Sequence, residues 1–157
     1  MAGGLRMHLL DYVSEDSVFL LDMTTTFESI IDTVARVIAP KVGCSTESIT
    51  SAIKQREQAS STAIGLGCAV PHAALPQAVH TAVGAALLKK PLAIATPDDI
   101  AVDIVFILVG PSQEARIHLK LLSKIARILH DDETRAKIRS CQTVQEFIKI
   151  LESGDAN

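Results

Sequence analysis

His72 closes a crowded stretch, "STAIGLGCAVPHAAL" over residues 61–75, that sets two glycines and a proline ahead of an imidazole. A neutral imidazole nitrogen near pH 7 is a competent nucleophile, and its phosphorylated form needs donors close by to spread the phosphoryl charge. Gly65 and Gly67 permit positive φ or a close approach of backbone to ligand, which leaves amide N–H groups free to point at an anion. Pro71 fixes its own φ and pushes Val70 toward an extended conformation, so the approach to His72 is stiff. Ser60, Ser61 and Thr62 add hydroxyl donors, and Arg56 offers a planar fork suited to phosphate oxygens if the preceding helix ends beside them. The composition suits a phosphohistidine site. It also suits a structural turn in which His72 does no chemistry, and spacing does not choose between the two.

The remaining reactive side chains carry the same double reading. His118 sits in a strongly apolar helical stretch, where a partly buried histidine satisfied by a backbone carbonyl looks the same as a functional one. Arg56 also fits a solvated cation that complements a helix end. Cys68 lies four residues before His72, which raises a thiol–imidazole pair or a zinc site with His80. In an extended segment that separation spans about 13 Å, too far unless the chain folds back. His8, His80 and His130 have no partner spacing and read as surface residues.

These residues need a scaffold, and the chain alternates element types. "TTTFESIIDTVARVIAP" sets Thr25 three residues before Glu28, a capping-box spacing, and then Ile30, Ile31, Val34, Val37 and Ile38 at helical intervals, with Pro40 as the stop. Ser45 caps a second, more polar helix, "TESITSAIKQREQA", with Ile49 and Ile53 on one face. "AVHTAVGAALL" and "VDIVFILVG" read as strands, the second apolar enough to be covered on both faces. "SQEARIHLKLLSKIARILH" repeats Ile117, Leu121, Ile125 and Ile128, with Leu119, Leu122 and Leu129 widening the stripe, and is expected to be the longest helix. "TVQEFIKILES" closes the series with a Thr143–Glu146 capping box and Gly154 at its end. This order implies α/β architecture: a three-layer α/β/α sandwich with a mixed central sheet. The stretch at 61–75 is expected as a loop between the second helix and the sheet, where chemistry commonly sits.

Composition narrows the function classes. At 157 residues with 48% hydrophobic side chains, the chain fits a single domain over 1–157. A net charge of -3 and 3% aromatics supply neither a basic field nor stacking platforms, so nucleic acid is not an expected partner. No run approaches the roughly 18 apolar residues of a membrane helix, and the start lacks a signal peptide's apolar segment, so a cytoplasmic location without direct membrane insertion is expected. Cys44, Cys68 and Cys141 are an odd number without C-x-x-C spacing and read as reduced thiols.

"REQASSTAIGLGCAVPHA" resembles the signature of the enzyme IIA domains of the bacterial sugar phosphotransferase system (PTS), type 2, the fructose/mannitol and nitrogen-regulatory class. The pattern R-E, then S-T-x-I-G-x-G-x-A-x-P-H, is met by Arg56, Glu57, Ser61, Thr62, Ile64, Gly65, Gly67, Ala69, Pro71 and His72. "PLAIATPDDIAVDIVFILVGP" and "IHLKLLSKIARIL" extend the likeness, so that it spans roughly residues 12–152. The resemblance implies a phosphotransferase component: His72 accepts a phosphoryl group from an HPr-like phosphohistidine donor, with His118 beside it and Arg56 stabilising the charge. Ser61, Thr62, Gly65 and Gly67 would complete the phosphoryl-binding set, with no metal and no cofactor. Ala73 replaces a common glycine, so its backbone must avoid positive φ; Ile94 and Asp99 are further departures that bear on partner choice.

Two functions follow from the resemblance. One is a nitrogen-regulatory IIA whose phosphorylation state controls a kinase or transporter. The other is a sugar-specific IIA that passes phosphate to a IIB domain for fructose, mannitol or polyol import. The end at Asn157 without a fused IIB, IIC or HPr-like segment favours the regulatory reading as an expectation.

Overall fold

The computed structural model describes residues 7–155. After 3₁₀ turns at Leu9–Asp11 and Glu15–Ser17, the elements run β1 (Val18–Leu21), α1 (Phe27–Val42), α2 (Thr46–Ala59), β2 (Ala63–Gly65), β3 (Cys68–Ala69), β4 (His72–Leu75), β5 (Ala82–Leu92) and β6 (Val102–Pro111). A 3₁₀ turn at Ser112–Glu114 then leads into α3 (Ala115–His130), α4 (Asp132–Ser140) and α5 (Val144–Asp155). The sheet is mixed: β1 lies parallel to β5, β5 antiparallel to β6, and β3 and β4 both pair parallel with β6, while β2 closes the edge antiparallel to β3.

Helices cover both faces, as the sequence pattern implies. On one side Ile30, Val34 and Ile38 of α1 and Ile49 and Ile53 of α2 pack on Ala86, Val105 and Ile107. On the other, Leu121, Ile125 and Leu129 of α3, Ile138 of α4, and Phe147 and Leu151 of α5 pack on Ile104, Phe106 and Leu108. β6 therefore presents apolar side chains to both layers, which is why it reads as an uninterrupted apolar run. Phe106 and Phe147 meet with ring centroids 6.0 Å apart.

Several sequence expectations are corrected. Pro40 lies inside α1, and Thr26 rather than Thr25 caps it, accepting from Ser29 N–H. The helix ends at Gly43, whose φ of 86° forms a left-handed cap that donates to Ala39 O. Proline has no N–H to offer the carbonyl four residues back, and the helix ends two residues later. β5 begins at Ala82, not Ala78, because Val79 and His80 N–H both donate to Val42 O and hold the chain in a turn. α3 has the same length as α1, and Leu119 is 66% exposed, outside the buried stripe. Gly154 lies within α5 and lets it approach Ile128 of α3. The largest revision concerns residues 61–75, which are not a loop but three short strands added to the sheet.

Candidate functional site

The path of the chain into His72 is set by the edge of β6. β3 and β4 lie one after the other along that edge, with Val70 and Pro71 between them. Val70 N–H donates to Thr62 O, whereas Pro71 has no N–H but its carbonyl accepts from Leu108 N–H. The ladder thus loses a donor at the proline and keeps an acceptor, and β4 restarts at His72, paired with Leu108. Ala73, the next residue, lies in β4, and positive φ outside glycine occurs only at Leu66 and Asp99 among the described residues.

His72 is half-buried, and its Nδ1 lies 2.8 Å from Val70 O. A carbonyl oxygen only accepts, so Nδ1 carries the proton and the lone pair resides on Nε2. The imidazole of His118 stands with its centroid 5.6 Å from that of His72, the planes inclined at 59°. His118 comes from the first turns of α3, and its Nδ1 is buried without a hydrogen-bond partner. Burial, and then the neighbouring His72, lower the His118 pKa from 6.5, so the ring is neutral at pH 7. Arg56 completes the group from the last turn of α2, where Nη1 donates to Ser60 O at 3.0 Å.

His72, His118 and Arg56 share one open cleft of about 370 Å³, lined also by Ala52, Gln55, Ala73 and Ala74. Two neutral or neutralisable imidazoles beside a permanent cation make a cleft able to receive a small dianion. Gln55 brings an amide that sequence reading missed; its position one residue before Arg56 was the available signal.

The other four expected residues do not line this cleft. Gly65 and Gly67 belong to a two-residue hairpin between β2 and β3, in which Leu66 (φ 61°) and Gly67 (φ 78°) both take positive φ, the sign pattern of a type I′ turn. Leu66 N–H donates to Asp98 Oδ2 at 2.8 Å, and that bond is the main cause holding the Asp98 carboxyl below its ordinary pKa. Thr62 donates through both its N–H and its hydroxyl to the Glu57 carboxylate, and the Ser61 hydroxyl donates to Ala95 O. The Ser61 and Thr62 hydroxyls and the turn that sequence alone offers to an anion are thus engaged with the protein's own acceptors, Glu57 and Asp98 among them.

Cys68 belongs to the core beneath α3, where burial pushes its thiol up to about 11, and its Sγ–H points toward Leu66 O at 3.7 Å, away from any partnership with His72. Among the described residues no group of three or more His, Cys, Asp or Glu side chains is placed to hold a metal ion, and no helix is long and apolar enough to cross a membrane.

Comparison with known proteins places this geometry in context. Residues 11–154 match the family model described as "Phosphoenolpyruvate-dependent sugar phosphotransferase system, EIIA 2". The nitrogen regulatory protein of Bradyrhizobium diazoefficiens is 28% identical over 145 residues, covering 92% of this chain and 95% of its own. The crystal structure of the nitrogen regulatory protein IIA-Ntr from Neisseria meningitidis superposes with a TM-score of 0.83 at 22% identity, over 90% of this chain and 97% of that one. The complex of enzyme IIAMTL and phosphorylated enzyme IIBMTL from Escherichia coli gives 0.74 at 17% identity, over 89% and 96% respectively.

Proposed function

The chain belongs to the EIIA 2 family of the phosphoenolpyruvate-dependent sugar phosphotransferase system, and on that premise we propose that it is a phosphoryl carrier in which His72 Nε2 takes a phosphoryl group from an HPr-like phosphohistidine donor. The observation that carries this reading is the bond from His72 Nδ1–H to Val70 O, which leaves Nε2 as the free nucleophile. In the transfer, the Nε2 lone pair forms a new N–P bond in line with the donor's N–P bond, whose electrons return to the donor ring. Nδ1 keeps its proton throughout, so no base is needed to remove one. Histidine-to-histidine transfer is nearly balanced in free energy, and the protein's contribution is alignment and electrostatic support.

Arg56 supports the charge on the transferred group, and a neutral His118 at this separation supplies a polar neighbour to it. Ser61, Thr62, Gly65 and Gly67 act at one remove: with Glu57 and Asp98 they fix the strand and hairpin that deliver Val70 and His72.

Between the two roles for such a carrier, the regulatory one is preferred, in which the phosphorylation state governs binding to a partner such as a kinase or transporter. Its support is the likeness to nitrogen regulatory proteins over nearly the full chain. The sugar-specific role, with onward transfer to a IIB domain, is the second reading, favoured by the similarity to a mannitol IIA solved with its phosphorylated IIB.

The decisive experiment is incubation with a phosphorylated HPr-like donor. Wild type gains an acid-labile phosphoryl adduct and His72→Ala does not; an unmodified wild type would overturn the carrier reading. Addition of a IIB domain then separates the roles, since rapid loss of label to IIB supports transport and retention supports regulation.

A further inference from the structure

β1 ends at Leu21 beside Leu88, while β5 runs on to Leu92, and where β1 stops, on the side of the molecule away from His72, a second cleft of about 530 Å³ opens. It lies between the sheet and the corner joining α4 to α5, with Leu20 and Leu87 facing it from the strands and Cys141 and Gln142 on the other side; Leu21 and Leu88 border it but pack in the α1–α2 layer. β6 separates the two sites: Asp103 at its start borders this cleft, whereas Leu108, the partner of His72, lies five residues on, about 16 Å along the strand.

The charged groups in the cleft fall into two sets. Arg139 is locked: its Nε bonds both oxygens of Asp103, at 3.1 and 2.9 Å, and its Nη2 donates to Leu66 O at 2.6 Å, so the guanidinium is held rigid with Nη1 outside these bonds. Lys89 and Asp22 are exposed and have no hydrogen-bond or ion-pair partner among the described residues. They follow Leu88 and Leu21, which are register partners, so the strand pairing sets a free ammonium and a free carboxylate side by side where β1 ends and β5 runs on. Opposite charges on neighbouring strands that do not pair with each other leave room for a ligand carrying the complementary pair. Lys89 and the free Nη1 of Arg139 then meet its anion, Asp22 its cation, and Leu20 and Leu87 its apolar body.

We infer that this cleft is a second ligand site that takes a small zwitterion of the amino-acid type, its carboxylate toward Lys89 and Arg139 and its ammonium toward Asp22. Its volume suits a small ligand with a side chain. The site shares no residue with the His72 cleft, so it stands or falls apart from the phosphoryl chemistry.

The test is titration of the full chain, followed by amide ¹H–¹⁵N shifts, with L-alanine, L-leucine and L-phenylalanine as zwitterions and with acetate and methylammonium as single-charge probes. At least one zwitterion should give saturable shifts at Asp22, Lys89 and Gln142 that neither single-charge probe reproduces. Lys89→Ala and Asp22→Asn, both at exposed positions, should each weaken that binding about tenfold, the effect of losing one charge-assisted contact, while the unfolding midpoint stays in place. The inference is overturned if no zwitterion saturates, if acetate alone binds as well, or if binding survives both substitutions.

Discussion

An imidazole whose Nδ1 is tied to a carbonyl two residues back has its tautomer chosen by the backbone. His72 therefore should show the Nδ1–H form in long-range ¹H–¹⁵N spectra of the unphosphorylated protein, and the adduct should carry phosphorus on Nε2; an Nε2–H tautomer would contradict the geometry. His118 permits a second test because burial depresses its pKa. The folded state then binds a proton less readily than the unfolded chain. Stability is accordingly full above the unfolded value of about 6.5 and declines as pH falls toward the lower folded value. Urea midpoints between about pH 7 and pH 5 should fall for wild type, and the part of that fall removed in His118→Gln measures this one group. The sequence marked His72, His118 and Arg56, and the fold brings them into one cleft. It did not show that the Thr62 hydroxyl would turn to Glu57, because a hydroxyl's partner depends on how far α2 runs before the chain reverses.

Elements with strong internal periodicity were legible, and those that depend on partners were not. α1, α2, α3 and α5 carry broad apolar faces within their own segments, and α1, α2 and α5 also carry side-chain caps. α4 has a cap in Asp131 but no such face: "DETRAKIRS" has Ile138 as its only large apolar residue, and its other buried side chain is Arg135, which donates to Leu129 O at the end of α3. β1, β3 and β4, with two to four residues each, exist by virtue of pairing with β5 and β6, and the three-residue β2 by pairing with β3. α4 nevertheless has a definite task, since Arg139 bridges Asp103 on β6 and Leu66 O in the β2–β3 turn. Truncation in Arg139→Ala leaves a half-buried carboxylate and a carbonyl without that partner and should cost about 1–2 kcal/mol, tempered by the partial exposure of the pair. Gly67→Ala should cost at least as much, because the new Cβ would need positive φ and would stand 2.5 Å from Arg139 Nη2. Chemical denaturation measures both, and a neutral Gly67→Ala would refute the tight turn.

The molecule as a whole is two apolar layers on one sheet, and its closure on the α3–α5 side depends on a buried charge near the end of the described chain. The Asp155 carboxylate accepts from Leu9 N–H at 2.7 Å and lies 2.7 Å from Lys124 Nζ, so one side chain ties the opening 3₁₀ turn, α3 and α5 together. His8 approaches the same carboxylate at 3.6 Å from its exposed side. A buried pair of this kind adds little over an apolar packing, but removing one partner strands the other. Asp155→Ala leaves Lys124 and the Leu9 amide both unpaired in a largely dry setting, and should destabilise the protein by about 3 kcal/mol. Asp155→Asn keeps an acceptor for Leu9 N–H while removing the charge that faces Lys124, so its loss should be smaller. Pairing Asp155→Asn with Lys124→Met should recover part of the deficit, because no uncompensated ammonium then remains. Equal losses for the Ala and Asn variants would instead assign the whole effect to Lys124 and remove the Leu9 amide from the account.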